Sequence, residues 1–157
     1  MGQYPGRPVH LIGHSGGAAL AVWTLEALPE SQPITSAVLF GPALSPSYCL
    51  TAALRRTQEG IHHFWSPLDL LFLAAGTLLF RTADGKHAIS AGFRGFSMAH
   101  RTEHEKTWYR HRLTQRCFSP RMLGQFHWGG HFGWANRVFI AEEVAPLLAS
   151  NAACIAA

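Results

Sequence analysis

Three observations predict an α/β fold with a mostly parallel sheet. Short apolar runs alternate with stretches of helical period along the chain. Those runs are continuous, as in Ala37-Val38-Leu39-Phe40, which is the pattern of strands buried on both faces. The side chains able to do chemistry fall just beyond the runs, at the strand ends where parallel sheets bind ligands. About four strands with flanking helices are expected, in a single domain over residues 1–157.

In chain order, residues 8–12 read as the first strand, and 16–28 as a helix closed by Pro29. Residues 34–40 read as the second strand, ended by Gly41-Pro42, and 48–57 as a helix stopped by Gly60. Ile61 to Trp65 reads as the third strand, ended by Ser66-Pro67. An apolar run from Leu70 to Phe80 follows, then an irregular excursion over 81–97 and a polar helix over 98–113. Met122 to Trp128 reads as the fourth strand, and 138–149 as a helix despite Pro146.

Composition narrows the function classes. The 48% hydrophobic and 14% charged residues place the chain on the apolar side of the ordinary soluble range. No signal region opens it, and no apolar run approaches the ~20 residues that span a bilayer. A cytoplasmic protein without an integral membrane segment is expected. Cys49, Cys117 and Cys154 are odd in number and far apart, so neither a disulfide framework nor a zinc knuckle is indicated. Most of the 13 basic residues lie between 81 and 121, opposed there only by Asp84, Glu103 and Glu105. No nucleic-acid motif accompanies them, so a solvated face is expected and no nucleic-acid partner.

The chain centres on Gly13-His14-Ser15-Gly16-Gly17. A strand, then G-x-S-x-G, then a helix is the layout of a nucleophile elbow. So sharp a turn strains the serine, and side chains two residues to either side would collide, so glycine is wanted at 13 and 17. The hydroxyl of Ser15 is then held clear of the backbone, and the free N–H of Gly16 can donate to an oxyanion.

A serine needs a base, and the base a carboxylate to orient it. Residues 41–58 contain no carboxylate, whereas Asp69 follows the third strand between Leu68 and Leu70. Asp84, in Asp84-Gly85, reads more simply as a surface-turn aspartate and is the reserve. Of ten histidines, His127 and His131 lie near the end of the expected fourth strand. His131, in the turn Gly129-Gly130-His131-Phe132-Gly133, is the preferred base, and His127 a packed side chain.

With the order Ser15, Asp69, His131, the chain resembles the C-terminal half of the α/β-hydrolase superfamily, of the lipase and esterase kind. The resemblance implies a Ser-His-Asp triad hydrolysing a carboxylic ester or similar small-molecule acyl substrate, with no cofactor and no metal. Leu70 to Leu73 and Phe132, beside acid and base, are candidate acyl-pocket residues. In that family the elbow follows the fifth of eight strands; here it begins at residue 13. The resemblance therefore implies an N-terminally truncated domain holding family strands five to eight. The loop supplying the second oxyanion donor would be missing, and the first strand would have an unpaired edge through which copies self-associate.

Two other readings compete. One is a non-catalytic hydrolase remnant that serves as a binding module. The other is a zinc metallopeptidase built on His100-Arg101-Thr102-Glu103-His104. This H-x-x-E-H on a helix would present both histidines to a metal, with Glu103 as base and Glu142 or Glu143 as a remote ligand.

Overall fold

The computed structural model describes residues 7–70 and 76–149. Four strands, β1 (His10–His14), β2 (Ile34–Phe40), β3 (Thr57–Trp65) and β4 (Leu113–Cys117), form one sheet in sequential order. Every neighbouring pair is parallel. Helix α1 (Gly16–Ala27) joins β1 to β2, and the short α2 (Thr51–Arg55) precedes β3. Between β3 and β4 lie α3 (Thr77–Phe80), α4 (Ala91–Arg94) and α5 (Glu103–Arg112). After β4 come two 3-10 segments, Pro120–Gln125 and Gly133–Ala135, and then α6 (Arg137–Phe139) and α7 (Ala145–Ala149), joined by a π turn over Ile140–Val144.

Strand alternation sorts the core into two layers. Leu11, Ala37, Leu39 and Ile61 face α1, α2 and α5, where Val22, Leu25, Leu54 and Tyr109 close the first layer. Val38, Phe40 and Phe64 face the other way and pack on Met122, Trp134, Phe139 and Val144. With both faces covered, all seven residues of β2 are buried, which accounts for its unbroken apolar run.

The fourth strand is Leu113–Cys117, not Met122–Trp128 as the apolar content suggests. β4 is an edge strand exposing Thr114, Gln115 and Cys117, and polar outward residues are normal for an edge. Met122 and Gln125 instead turn inward at the three-residue period of a 3-10 helix, while Leu123 and Phe126 are exposed. Phe126 closes the segment in a left-handed conformation (φ 57°). Gly60 lies inside β3 rather than stopping a helix, so that strand begins at Thr57. The polar helix over 98–113 is shortened to α5, because Thr102 caps it. The Thr102 hydroxyl accepts from the Glu105 N–H at 3.3 Å, and the Glu105 carboxylate accepts from the Thr102 N–H at 2.8 Å. Pro146 has no N–H for the helical ladder, and the π turn directly before it widens the last helix.

No helix among the described residues is long and apolar enough to cross a membrane. Among them β1 pairs with β2 alone, and Val9 and Ile12 are exposed. The basic stretch is dispersed: Arg101 donates to the Ser47 and Tyr48 carbonyls, Arg112 to that of Thr57, and Arg116 pairs with Glu143. Cys49 and Cys117 are free thiols; Cys154 and Leu71 to Leu73 lie outside the described residues.

Candidate active site

β1 ends at His14 and α1 begins at Gly16, so Ser15 takes the whole change of direction. Its backbone sits at φ 55°, ψ −121°, a region that costs a non-glycine residue about 1–3 kcal/mol. Three main-chain bonds hold it there. Ser15 N–H donates to the Phe40 carbonyl at 2.9 Å, and the Ser15 carbonyl accepts from Ala18 at 3.1 Å and Ala43 at 3.2 Å. Although Ser15 occupies the N-cap of α1, its hydroxyl does not cap the helix. That is the usual work of a serine at this position.

Gly13 is required by close approach. A Cβ there would lie 2.6 Å from the Ala18 Cα and from the Gly17 carbonyl oxygen. Gly17 differs from expectation, since a Cβ on it would meet nothing within 4 Å among the described residues. The elbow's tightness is therefore borne on its strand side. Gly16, the first residue of α1, is exposed, with its N–H in the unpaired first turn of a 12-residue helix.

Asp69 and His131, far apart in sequence, meet in the structure. His131 Nδ1 is 2.5 Å from Asp69 Oδ2, with the histidine 8% and the aspartate 2% exposed. A carboxylate oxygen accepts, so in this bond Nδ1 is the donor and Nε2 is the ring nitrogen left for another partner. The loop bearing Asp69 turns directly out of β3, where the Asp69 N–H donates to the Ser66 carbonyl at 3.3 Å. Gly129 (φ 78°) lets the histidine loop lie on it, because a Cβ there would come within 2.6 Å of the Leu68 side chain. His14, next to Ser15, brings the elbow to the pair: its ring lies 4.6 Å from that of His131, and its Nε2–H donates to the His131 carbonyl at 2.9 Å. Burial, and then the neighbouring His131, lower the His14 pKa and favour a neutral ring.

The reserve residues are engaged elsewhere. Asp84 accepts from the Ser45 N–H at 2.8 Å and the Ser45 hydroxyl at 2.6 Å. His127 is fully buried edge-on to Trp134, with ring centroids 4.0 Å apart, and accepts from the Gly129 N–H through Nδ1. Its burial pushes its pKa down to about 4. Of the apolar candidates, Phe132 is 69% exposed with its ring 5.3 Å from that of His131, and Leu70 is 62% exposed beside Asp69.

The H-x-x-E-H segment does not form a metal face. α5 starts at Glu103, so His100 (φ 61°) precedes the helix and shares no helical face with His104. His104 Nε2 accepts from Arg55 at 2.9 Å, Glu103 pairs with Lys106 at 2.7 Å, and Glu143 pairs with Arg116 at 3.2 Å. Among the described residues no three His, Cys, Asp or Glu side chains gather as a metal site.

Two contacts of the site were not foreseen from sequence: that of Ser66, whose hydroxyl donates to the Gly129 carbonyl at 2.6 Å, and that of His14, expected only as an elbow residue, with the His131 carbonyl. Neither carries a local signal, since each is defined by a partner in a distant segment. Compared with models of protein families, with curated proteins and with solved structures, the chain matches none of them.

Proposed function

We propose that the chain is a serine hydrolase with an α/β-hydrolase-like site, transferring the acyl group of a carboxylic ester or related substrate to water. The reading is carried by one observation: a buried Asp69–His131 pair at 2.5 Å lying against the residue next to a strained, non-capping serine. Asp69 holds the proton on Nδ1 of His131, which leaves Nε2 as the base. The Ser15 hydroxyl oxygen attacks the acyl carbon as its proton passes to Nε2. The carbonyl π electrons move onto oxygen, and the Gly16 N–H donates to that oxyanion. Collapse of the tetrahedral intermediate expels the alkoxide, which takes the proton back from the imidazolium. Water then repeats the sequence on the acyl-serine and releases the acid.

Covalent labelling with a fluorophosphonate, read by intact mass, tests this. One adduct is expected at Ser15, lost in Ser15→Ala and in His131→Ala. A folded protein that takes no label would instead be a non-catalytic binding module.

The exposed Phe132 and Leu70 supply an apolar wall beside the acid–base pair. A buried methylene contributes about 0.8 kcal/mol, so each added carbon raises kcat/KM by up to about fourfold while the wall is contacted. Phe132→Ala is expected to flatten the dependence of kcat/KM on acyl length across a series of p-nitrophenyl esters. An unchanged series would remove Phe132 from the pocket.

A further inference from the structure

We propose that His14 is a positioning residue for His131, its Nε2–H gripping the main-chain carbonyl of the base so that the imidazole stays aligned between Asp69 and Ser15. This inference rests on the hydrolase reading above and names a residue that the reading leaves without a role.

The three reacting side chains come from three separate segments: the end of β1, the loop after β3, and the turn before the second 3-10 segment. The last of these is distant in sequence from the other two. Two side chains clasp its backbone at carbonyls two residues apart. From the acid's loop, the fully buried Ser66 hydroxyl donates to the Gly129 carbonyl at 2.6 Å. Its oxygen also accepts from the Leu68 N–H at 3.2 Å, so the same hydroxyl shapes the turn leading to Asp69. From the nucleophile's strand, His14 Nε2 donates to the His131 carbonyl at 2.9 Å. A carbonyl only accepts, so this contact fixes the proton of His14 on Nε2.

The rings of His14 and His131 are 4.6 Å apart and tilted by 44°. His131 becomes a cation when it takes the serine proton, and a charged neighbour at that distance would oppose the step. The titratable groups acting on His14 are His131 and Asp69, and burial disfavours its charged form. A neutral histidine that donates from Nε2 thus holds the base without competing for positive charge. Lysine or arginine would supply the bond but also the charge; an aliphatic residue would supply neither.

The test compares His14→Gln, which keeps an N–H donor near the Nε2 position, with His14→Leu, which removes it. Two readouts are taken on the full chain: the rate of fluorophosphonate labelling across pH, and the downfield proton resonance of the His131–Asp69 bond. In His14→Leu the labelling rate is expected to fall about tenfold to a hundredfold, the range carried by one lost hydrogen bond to a fixed group. The acid limb of the pH profile is expected to shift and the downfield proton to broaden or vanish. His14→Gln is expected to restore rate and resonance to within a few fold of the parent. Wild-type rate and an intact resonance in His14→Leu would overturn the proposal while leaving the hydrolase reading in place. A parent protein that takes no label would overturn the hydrolase reading, and the resonance would still report whether His14 holds the His131 ring. If His14→Leu does not fold, failure of the folded His14→Gln variant to keep the resonance overturns the proposal.

Discussion

If the proposed hydrolase reading holds, Asp69→Asn is expected to lower the rate of Ser15 acylation by about 10⁴-fold, the scale of the same change in known Ser-His-Asp sites. The reason is the direction of one proton. The carboxylate accepts from His131 Nδ1 at 2.5 Å, which leaves the basic lone pair on Nε2. An amide at residue 69 can turn its NH₂ toward Nδ1, and the imidazole proton then moves to Nε2, where no base remains for the serine. Both groups are buried, so water cannot substitute for the lost acceptor. The measurement is the second-order rate constant for fluorophosphonate labelling, in protein whose circular dichroism matches the parent. A loss smaller than about tenfold would detach Asp69 from the chemistry. Asp84 would not replace it, since both its carboxylate oxygens are engaged by Ser45.

Trp134→Ala is expected to destabilise the fold by about 3–5 kcal/mol, a large share of the roughly 5–15 kcal/mol that holds a domain together. Trp134 is fully buried and is the hub of the second core layer. It stacks on Phe40 with centroids 6.3 Å apart, and it meets Phe64 at 6.0 Å, Phe139 at 5.5 Å and His127 at 4.0 Å. Its truncation leaves a cavity bounded by rings from the sheet, the histidine loop and α6. The melting temperature should fall by roughly 10 °C or more, and Trp134→Phe should recover most of the loss. Because Trp134 lies shortly after His131 in the chain, fluorophosphonate labelling of Trp134→Ala protein should also slow at temperatures where it remains folded. An unshifted melting curve would mean that the layer repacks without its largest side chain.

The sharp strand-to-helix turn at Ser15 was legible in the sequence because everything that makes it is local. A strand, a glycine close to the following helix, a serine and a helix start all lie within one short stretch, and Gly13 is bound to its position by Ala18 five residues on. β2 was legible for a similar reason: burial on both faces demands an unbroken apolar run. β4 was not. An edge strand needs only one neighbour, so Leu113-Thr114-Gln115-Arg116-Cys117 reads as polar chain until β3 pairs with it. Met122 to Trp128 carries strand-like apolar content, yet a 3-10 turn buries only its inward positions.

In the candidate site, residue type and chain order singled out Ser15, Asp69 and His131, but their distances belong to the tertiary structure. The same is true of the two clasps. His14 reaches a carbonyl 117 residues away and Ser66 one that is 63 residues away. A backbone carbonyl is present at every position, so no residue pattern marks which one a side chain will hold. The sequence alone determined which groups have the chemistry and where the chain must turn sharply. The packing of the sheet and its two layers decided which of those groups meet, because only packing brings distant segments within hydrogen-bond reach.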